Sequence, residues 1–292
     1  MLSCLIFLIF LILSLIDKFI MKNFFIVFIF DLEKREFMNI CLFLPEEINK
    51  PLNLHDERAQ HIIKILHKKQ GDSFTAGVIN GASGIAVINK IEDAIYFDFE
   101  EKGSGKLLNP LKMIIGFPRP IQLKRLLRDV AALGVSEVHL TGTDLGEKSY
   151  MKSNLVEKGS AYKMLLDGTV QAGSTNVPEL FLHQNLTECL ETLQKSSLEK
   201  QSSGCQIIKI ALDNVNPACS LNTALEKNEN VLKSSECVAA IGSERGWTDK
   251  ERNLLEKYGY VRCGMGERIM RTETAATVSA SIILNKMGFL GE

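Results

Sequence analysis

Residues 236–284 read ECVAAIGSERGWTDKERNLLEKYGYVRCGMGERIMRTETAATVSASIIL. This stretch predicts one structural unit twice: an apolar strand, a polar loop containing glycine, and a helix. The first loop is GSERG, at 242–246, and the second is GMGERIMRTETA, at 264–275. Ligands of parallel α/β sheets bind beyond the carboxyl ends of the strands, where both loops would lie. Both loops are candidates for a ligand site, although two ordinary β–α turns would show the same pattern.

Signals for the start of a helix follow both loops. Thr248 and Glu251 form an S/T-x-x-E capping box, and Thr272 is expected to cap the last helix. Neither loop is a P-loop or a G-x-G-x-x-G dinucleotide fingerprint. The glycines would let the backbone approach a ligand and present its N–H and C=O groups to it.

The sequence on either side of these loops alternates strands with helices. The predicted strands are 112–117, 135–140, 206–212, 236–242 and 260–263, and the predicted helices include 121–134 and 274–286. Helix 121–134 carries an apolar stripe and ends at Gly134, a residue typical of a helix C-terminus. Residues 194–204 predict a polar surface loop. The pattern favours an α/β fold with a mainly parallel sheet and helices on both faces.

Residues 38–105 predict a separate small β-barrel. Strands are expected at 41–45 and 94–100 and on either side of Asn80-Gly81, a strong hairpin signal. A helix is expected at 57–69, and the Gly- and Ser-containing stretch 101–110 is expected to link this domain to residues 106–292.

The first 37 residues differ in composition from the rest of the chain. They contain two apolar runs separated by DKFIMKN. These residues lack the basic n-region and the cleavage site of a signal peptide, and the first apolar run is shorter than a membrane span. A membrane anchor stays possible, but we favour a native start at Met38, with 1–37 as translated upstream sequence.

The composition is that of a globular protein. Of 292 residues, 46% are hydrophobic, and the net charge is −1, so a nucleic-acid partner must be met by a local basic patch. No C-x-x-C pair or zinc-finger spacing is present, which predicts reduced thiols, a cytoplasmic protein and no metal site. The cysteines are Cys4, Cys41, Cys189, Cys205, Cys219, Cys237 and Cys263.

Two basic clusters are candidates for contacts with nucleic-acid phosphates, although each is equally typical of an ordinary solvated face. The first contains Arg58, His61, Lys64, His67, Lys68 and Lys69, and the second contains Arg119, Lys124, Arg125 and Arg128.

The two loops, in this order near the C-terminus, resemble the signature of the RsmE-type 16S rRNA (uracil-N3)-methyltransferases, which are knotted SPOUT methyltransferases. The run Arg271-Thr272-Glu273-Thr274-Ala275 is the most specific part. Residues 61–91 are similar to the PUA-like N-terminal barrel of that family, and residues 110–140 to its first strand–helix–strand unit. The resemblance covers the chain from about Met38 to its end.

The resemblance implies a trefoil-knotted α/β domain, a homodimer with the site at its interface, and a barrel that docks on the small ribosomal subunit. S-adenosylmethionine would be held by three loops, 140–143, 242–246 and 265–274. The cofactor-binding residues would be Leu140, Thr141, Gly142, Gly242, Ser243, Glu244, Gly246, Met265, Gly266, Ile269, Met270, Thr272 and Thr274.

Methylation of uracil N3 requires loss of the N3 proton and stabilisation of the charge that spreads onto the carbonyl oxygens. Arg271 is the candidate cation, with pairing to Glu273 or Glu244 as its alternative role. Glu244 or Glu273 is the candidate base, while Arg245 and Arg268 are candidates for RNA contact. Trp247 would either cover the cofactor or pack against the start of the helix.

Several positions depart from the family pattern. Ser243 and Arg245 stand where the family usually has Pro and Gly, and Asp129 stands where Lys is common. In TVQAGST, residues 169–175, a usual Glu, Ser and Arg are also missing. These departures leave two other functions open: a non-catalytic rRNA-binding or assembly protein, and a knotted methyltransferase that acts on another rRNA nucleotide.

Overall fold

The computed structural model describes residues 40–157, 159–202 and 204–291. The expectations about residues 1–37, including the start at Met38, lie outside the described residues. Within those residues, no helix is both long enough and apolar enough to cross a membrane.

The N-terminal part is a five-stranded sheet with the strand order β1-β3-β4-β5-β2. Its strands are β1 Cys41–Phe43, β2 Leu52–Asn53, β3 Ser73–Val78, β4 Ala82–Ile91 and β5 Ala94–Ser104. β1 pairs with β3 in parallel, and the other pairs are antiparallel. The predicted hairpin is confirmed: Asn80, at φ 55°, takes the left-handed conformation in the turn between β3 and β4.

The helix predicted at 57–69 is shorter than expected. Helix α1, Glu57–Gln60, continues as a π-helical turn, His61–Ile65. His67 has a φ of 52°, a left-handed conformation that ends the helical path. The basic residues expected along one helix therefore lie on a helical turn, a π turn and an irregular segment.

The C-terminal part is a seven-stranded parallel sheet, as predicted, with the order β10-β12-β9-β11-β6-β7-β8. Its strands are β6 Asn109–Gly116, β7 Val135–Thr141, β8 Glu179–His183, β9 Ile207–Leu212, β10 Cys219–Ser220, β11 Glu236–Ile241 and β12 Val261–Gly264. The helices are α2 Pro120–Ala132, α3 Lys148–Met151, α4 Asn154–Glu157, α5 Ser160–Gln171, α6 Leu186–Ser202, α7 Leu221–Glu226, α8 Glu229–Leu232, α9 Asp249–Lys257 and α10 Thr272–Met287.

Helices cover both faces of this sheet. On one face, α2, α5 and α10 enclose the larger core; on the other, apolar residues of α6 and α9 pack with Trp247 and Tyr260. The stripe predicted on α2 is buried, and Gly134 follows the helix at φ 71°. Each face thus buries the apolar side of its helices.

Two segments predicted as loops belong to regular elements. Most of 194–204 is helical, because α6 extends to Ser202 and buries Leu190 and Leu193 one turn apart. Most of 101–110 lies in strands, because β5 pairs with β4 as far as Ser104 and β6 begins at Asn109. The irregular link is only 105–108.

The hairpin at Asn80-Gly81 joins the two sheets. Thr175 Oγ1 donates to the Gly81 carbonyl over 2.8 Å, and the Val177 N–H donates to Asn80 Oδ1 over 2.8 Å. Ser174 Oγ donates to the Lys106 carbonyl over 3.4 Å. The TVQAGST departures therefore lie at or next to the junction of the two sheets.

Candidate functional site

The two glycine loops meet at one cavity of about 260 Å³ at the carboxyl ends of β9, β11 and β12. A third segment, 212–214, completes its wall. The lining residues are Leu212, Asp213, Asn214, Ile241, Gly242, Ser243, Glu244, Arg245, Gly246, Cys263, Met265, Gly266, Arg268, Ile269, Met270, Thr272 and Ala275. The sequence placed both glycine loops at one site but missed the segment after β9.

The first loop is a tight turn held against β6. The Gly246 N–H donates to the Ser243 carbonyl over 2.8 Å, and Gly246 has a φ of 72°. A Cβ on Gly116 would lie 2.5 Å from the backbone nitrogen of Ser243. Glycine at 116 therefore allows β6 and the loop to approach each other closely.

Thr272 connects the two loops, but it does not cap α10 as expected. Arg271 is the N-cap residue and makes no capping bond through its side chain, while Thr272 is the first helical residue. The buried Thr272 hydroxyl donates to the Gly242 carbonyl over 3.4 Å. Its hydroxyl thus holds the start of α10 against the first loop.

The predicted capping box is present at the start of α9. Glu251 Oε2 accepts from the Thr248 N–H over 2.8 Å, and Glu251 Oε1 accepts from the Asp144 N–H over 2.9 Å. One carboxylate therefore caps the helix and fixes the neighbouring β7 loop.

Trp247 is buried on the other side of the first loop and does not line the cavity. Its indole Nε1–H donates to the Leu212 carbonyl over 3.1 Å. Of the two expected roles, packing is the one observed, and this bond ties the first loop to the end of β9.

The segment 140–143 does not line this cavity, although Thr143 Cγ2 and the Ser243 nitrogen both lie next to Gly116. Leu140 and Thr141 are buried in β7, and Gly142 and Thr143 line a different and larger cavity. Thr274, in the first turn of α10, is exposed and does not line the candidate site either. Of the described residues, 212–214 line this cavity and 140–143 do not, and the cofactor-binding role of 140–143 stays a prediction.

Three exposed arginines surround the site: Arg245, Arg268 and Arg271. None of their side chains makes a hydrogen bond or an ion pair with another described residue, so the Arg271 guanidinium does not pair with Glu244 or Glu273. Arg245 and Arg268 line the cavity, whereas Arg271 lies between two lining residues, Met270 and Thr272. The rim thus carries unpaired positive charge.

The candidate bases differ in their surroundings. Glu244 lines the cavity and forms an ion pair with Arg119, with 3.4 Å between Glu244 Oε2 and Arg119 Nε. A hydrogen bond with Tyr150 and the charge of Glu244 raise the pKa of Arg119 above its ordinary value. Glu273 lies in the first turn of α10, outside the cavity lining.

Asp213 is an acidic residue of the site that sequence reasoning missed. Its carboxylate accepts from Arg252 Nε over 2.6 Å, and Arg262 lies 3.7 Å away. The Val215 N–H also donates to it over 3.0 Å. With its oxygens engaged in this way, Asp213 fixes the backbone of 212–214 rather than offering a free base.

Arg58 is engaged within the N-terminal sheet. It makes ion pairs of 2.8 Å with Glu47 and with Asp56, and its guanidinium lies 4.9 Å from the centroid of the Phe43 ring. Hydrogen bonds from Arg58 lower the pKa values of Glu47 and Asp56. The geometry gives Arg58 a structural role.

The other basic candidates differ in exposure. Lys64 and Lys124 are exposed, while His61 and Lys68 are partly buried.

One polar atom of the cavity has no partner. Ser243 Oγ is buried and makes no hydrogen bond to any described residue. A buried hydroxyl without a partner is costly, so its position in the cavity lining indicates a contact with a bound ligand.

Comparison with known proteins gives concordant matches. The sequence model of the RNA methyltransferase domain matches residues 106–284. Ribosomal RNA small subunit methyltransferase E of Treponema pallidum is 38% identical over 255 residues, 85% of this chain and 91% of that protein. Ribosomal RNA small subunit methyltransferase E 1 of Borreliella burgdorferi is 32% identical over 248 residues, 84% of this chain and 97% of that protein.

A solved structure shares the fold. The crystal structure of ribosomal RNA small subunit methyltransferase E from Neisseria gonorrhoeae, bound to S-adenosyl methionine, has a TM-score of 0.65 at 17% identity. The match covers 85% of this chain and 98% of that one.

Proposed function

This chain belongs to the RNA methyltransferase family, and we propose that it transfers a methyl group from S-adenosylmethionine to N3 of a uridine in 16S rRNA. The observation that carries the proposal is one cavity formed by two glycine loops, with an unpartnered buried hydroxyl inside it and unpaired arginines around it. The names of the two curated relatives support the substrate, and the S-adenosyl methionine bound in the Neisseria structure supports the cofactor.

The residues of the cavity fit a cofactor that has polar ends and an apolar middle. Ser243 Oγ would hydrogen-bond it, and the glycine loops would offer backbone groups. Met265 and Met270 would pack against its apolar surfaces. The cofactor supplies an electrophilic methyl group; every other requirement of the reaction falls on the protein.

Side chains at the rim would activate the uracil. Glu244 faces the cavity and is the better placed of the two candidate bases for the N3 proton. The Arg119 ion pair would keep its carboxylate oriented. Arg271 would place its guanidinium against a uracil carbonyl oxygen, where negative charge develops.

RNA binding would use both parts of the chain. We assign docking to residues 38–105 as a PUA-like barrel, and methyl transfer to residues 106–292. Exposed Lys64 and Lys124 are the strongest candidates for phosphate contacts, with His61 and Lys68 beside Lys64. Arg245 and Arg268 would guide RNA to the cavity, and Arg58 is left out because its guanidinium is already paired.

The proposal includes a trefoil knot and a homodimer. Support for the knot comes from the resemblance of the C-terminal loops to those of the knotted SPOUT methyltransferases. Support for the dimer comes from Ile269, which lines the cavity yet is 83% exposed. The family resemblance implies a dimer interface at this site, where a partner subunit would cover the Ile269 side chain. A small-subunit substrate would place the reaction in the cytoplasm.

The test is methyl transfer with identification of the product. Purified protein, labelled S-adenosylmethionine and small ribosomal subunits from a strain that lacks the modification should yield label in N3-methyluridine of 16S rRNA. Arg271→Ala should lower the rate at least tenfold while the fold, followed by circular dichroism, is unchanged. Arg271→Lys should recover part of the rate, because it keeps the charge but loses the planar fork.

The other outcomes are equally specific. Label in a different nucleoside would show that the enzyme modifies another nucleotide. No label in spite of calorimetric binding of S-adenosylmethionine would make the chain a non-catalytic rRNA binder. Near-normal turnover of Arg271→Ala would remove Arg271 from the mechanism.

A further inference from the structure

Three metal-ligating side chains meet in the core under α6, outside the site described above. His139 comes from β7, His183 from the end of β8, and Cys189 from the first turns of α6. All three residues are buried, and the ligand atom that each offers lies within 4.8 Å of the other two. We propose that His139, His183 and Cys189 bind one divalent metal ion, with Zn²⁺ as the best match.

The spacing of the donors is close to that of a tetrahedral site. His139 Nδ1 and His183 Nε2 are 3.0 Å apart. Two nitrogens bound to zinc at about 2.0–2.1 Å stand about 3.3 Å apart, and a nitrogen and a sulfur about 3.6 Å apart. The two nitrogens need to separate only slightly, and the thiol needs to approach by about 1 Å. The two rings are nearly coplanar, 13° apart with centroids 5.2 Å from each other, so each must also tilt by roughly 35° for both lone pairs to point at one ion.

A second layer of contacts orients His139. Its Nε2–H donates to Glu137 Oε2 over 3.0 Å, which leaves Nδ1 as the atom with a free lone pair. Glu137 Oε1 in turn accepts from the buried Lys112 over 2.8 Å. A carboxylate behind a histidine is a common arrangement around protein-bound zinc.

The donor set points to the type of ion. Imidazole nitrogen with thiolate sulfur suits zinc, whereas Mg²⁺ and Ca²⁺ prefer oxygen. Without metal, the His183 Nε2–H can donate to His139 Nδ1. On binding, this proton would move to Nδ1 of His183, the Cys189 thiol would lose its proton to solvent, and both nitrogens and the sulfur would donate to the ion.

A water in the adjoining cavity would supply the fourth ligand. His183 also lines a cavity of about 920 Å³ beside the loops that follow β7 and β8. Three protein ligands plus one water complete a tetrahedral zinc site. The ion would join β7, β8 and α6, and would thereby fix the base of the β7 loop that Glu251 holds from the other side.

This proposal revises the sequence-based expectation of no metal site. That expectation rested on spacing along the chain, and His139 and His183 are 44 residues apart. Their proximity follows from the pairing of β7 with β8, in which Thr141 stands opposite His183.

Metal content of the full chain tests the proposal. Chelator-stripped protein, dialysed against micromolar ZnCl₂, should retain about one zinc ion per chain by mass spectrometry. Cys189→Ser and His183→Gln should each lower the retained zinc at least tenfold. Cys205→Ser and His55→Gln are matched controls, since both lie outside the cluster, and they should retain the wild-type amount.

Cobalt substitution of the unmodified protein keeps the test decisive if a variant does not fold. Co²⁺ added to the wild-type protein should give a thiolate-to-cobalt charge-transfer band that Zn²⁺ removes. The proposal is overturned if this band is absent, if wild-type protein retains no zinc, or if zinc retention depends on Cys205 rather than Cys189. In each of those cases the two histidines form only a buried hydrogen-bonded pair.

Discussion

Gly116 lies at the closest approach between the parallel sheet and the first glycine loop. A Cβ at this position would be 2.5 Å from the Ser243 nitrogen and 2.9 Å from the Gly242 carbonyl carbon. Gly246, in contrast, has open space where a Cβ would lie, and what it provides is a positive φ of 72°. Side-chain volume therefore matters at 116, and backbone conformation matters at 246.

We predict that Gly116→Ala weakens S-adenosylmethionine binding at least tenfold, because backbone atoms of the loop must move away from the added methyl group. The matched variant is Gly246→Asn, since asparagine tolerates a positive φ and finds free space there. Calorimetric titration should show nearly wild-type affinity for Gly246→Asn. The reverse order of affinities would mean that the cavity at this loop is not the cofactor site.

Helix α9 is held at its start by a capping box that also supports the neighbouring β7 loop. Thr248 Oγ1 accepts from the Glu251 N–H over 3.2 Å, while the Glu251 carboxylate caps Thr248 and the Asp144 N–H. Because α9 directly follows the first glycine loop, the cap limits movement of that loop.

Thr248→Ala should lower the free energy of unfolding by about 1 kcal/mol, since it removes the capping hydroxyl. Thr248→Ser keeps that hydroxyl and should stay close to wild type. Urea unfolding followed by circular dichroism measures both variants. Equal losses for Ala and Ser would trace the effect to the missing methyl group instead of the cap.

On the scale of the whole molecule, the near-zero net charge of −1 conceals basic groups in very different environments. Arg58 is neutralised within the N-terminal sheet by Glu47 and Asp56, whereas Lys64, six residues further on, is exposed. Charge counting along the sequence treats these two residues alike. Only Lys64 is available to a phosphate.

The variants Arg58→Gln and Lys64→Gln should therefore separate stability from RNA binding. Arg58→Gln should cost about 1 kcal/mol of unfolding free energy at neutral pH. Arg58 lowers the pKa values of its partners, Glu47 and Asp56, in the folded protein. The two ion pairs therefore contribute stability at pH values above the unfolded pKa values of about 4, and this stability is lost as the pH falls through the lower folded pKa values. The stability of wild type and variant should thus converge in acid.

Lys64→Gln should leave stability unchanged and reduce the salt dependence of rRNA binding by about 0.7–0.9 in the log–log slope. Fluorescence anisotropy with small-subunit rRNA fragments at several KCl concentrations measures this slope. If Arg58→Gln lowered the slope and Lys64→Gln did not, the assignment of RNA contacts in the N-terminal part would be reversed.

Local sequence patterns predicted much of the architecture. The parallel sheet, the Asn80-Gly81 hairpin, the α2 stripe with Gly134 and the α9 capping box all follow from residues within a few positions of one another. These signals are strong because apolar periodicity and turn chemistry act on the backbone locally. The family resemblance of the C-terminal loops gave the correct family.

The extent of elements and their ends was predicted less well. Residues 194–202 carry a polar composition, yet they continue α6, whose first turns bury Leu190 and Leu193. Helix 57–69 changes to a π turn and then ends at His67. Tertiary packing outweighs weak local preference at such positions.

By itself, then, the sequence determined the α/β class with its parallel sheet, the two glycine loops and the family. Only the tertiary structure decided that β9 lies between β11 and β12, which brings 212–214 rather than 140–143 to the cavity. The same holds for the pairing of Arg58 and for the meeting of His139 with His183. The physical reason is that strand order and side-chain contact join residues far apart in the chain, and periodicity carries no information about such pairs.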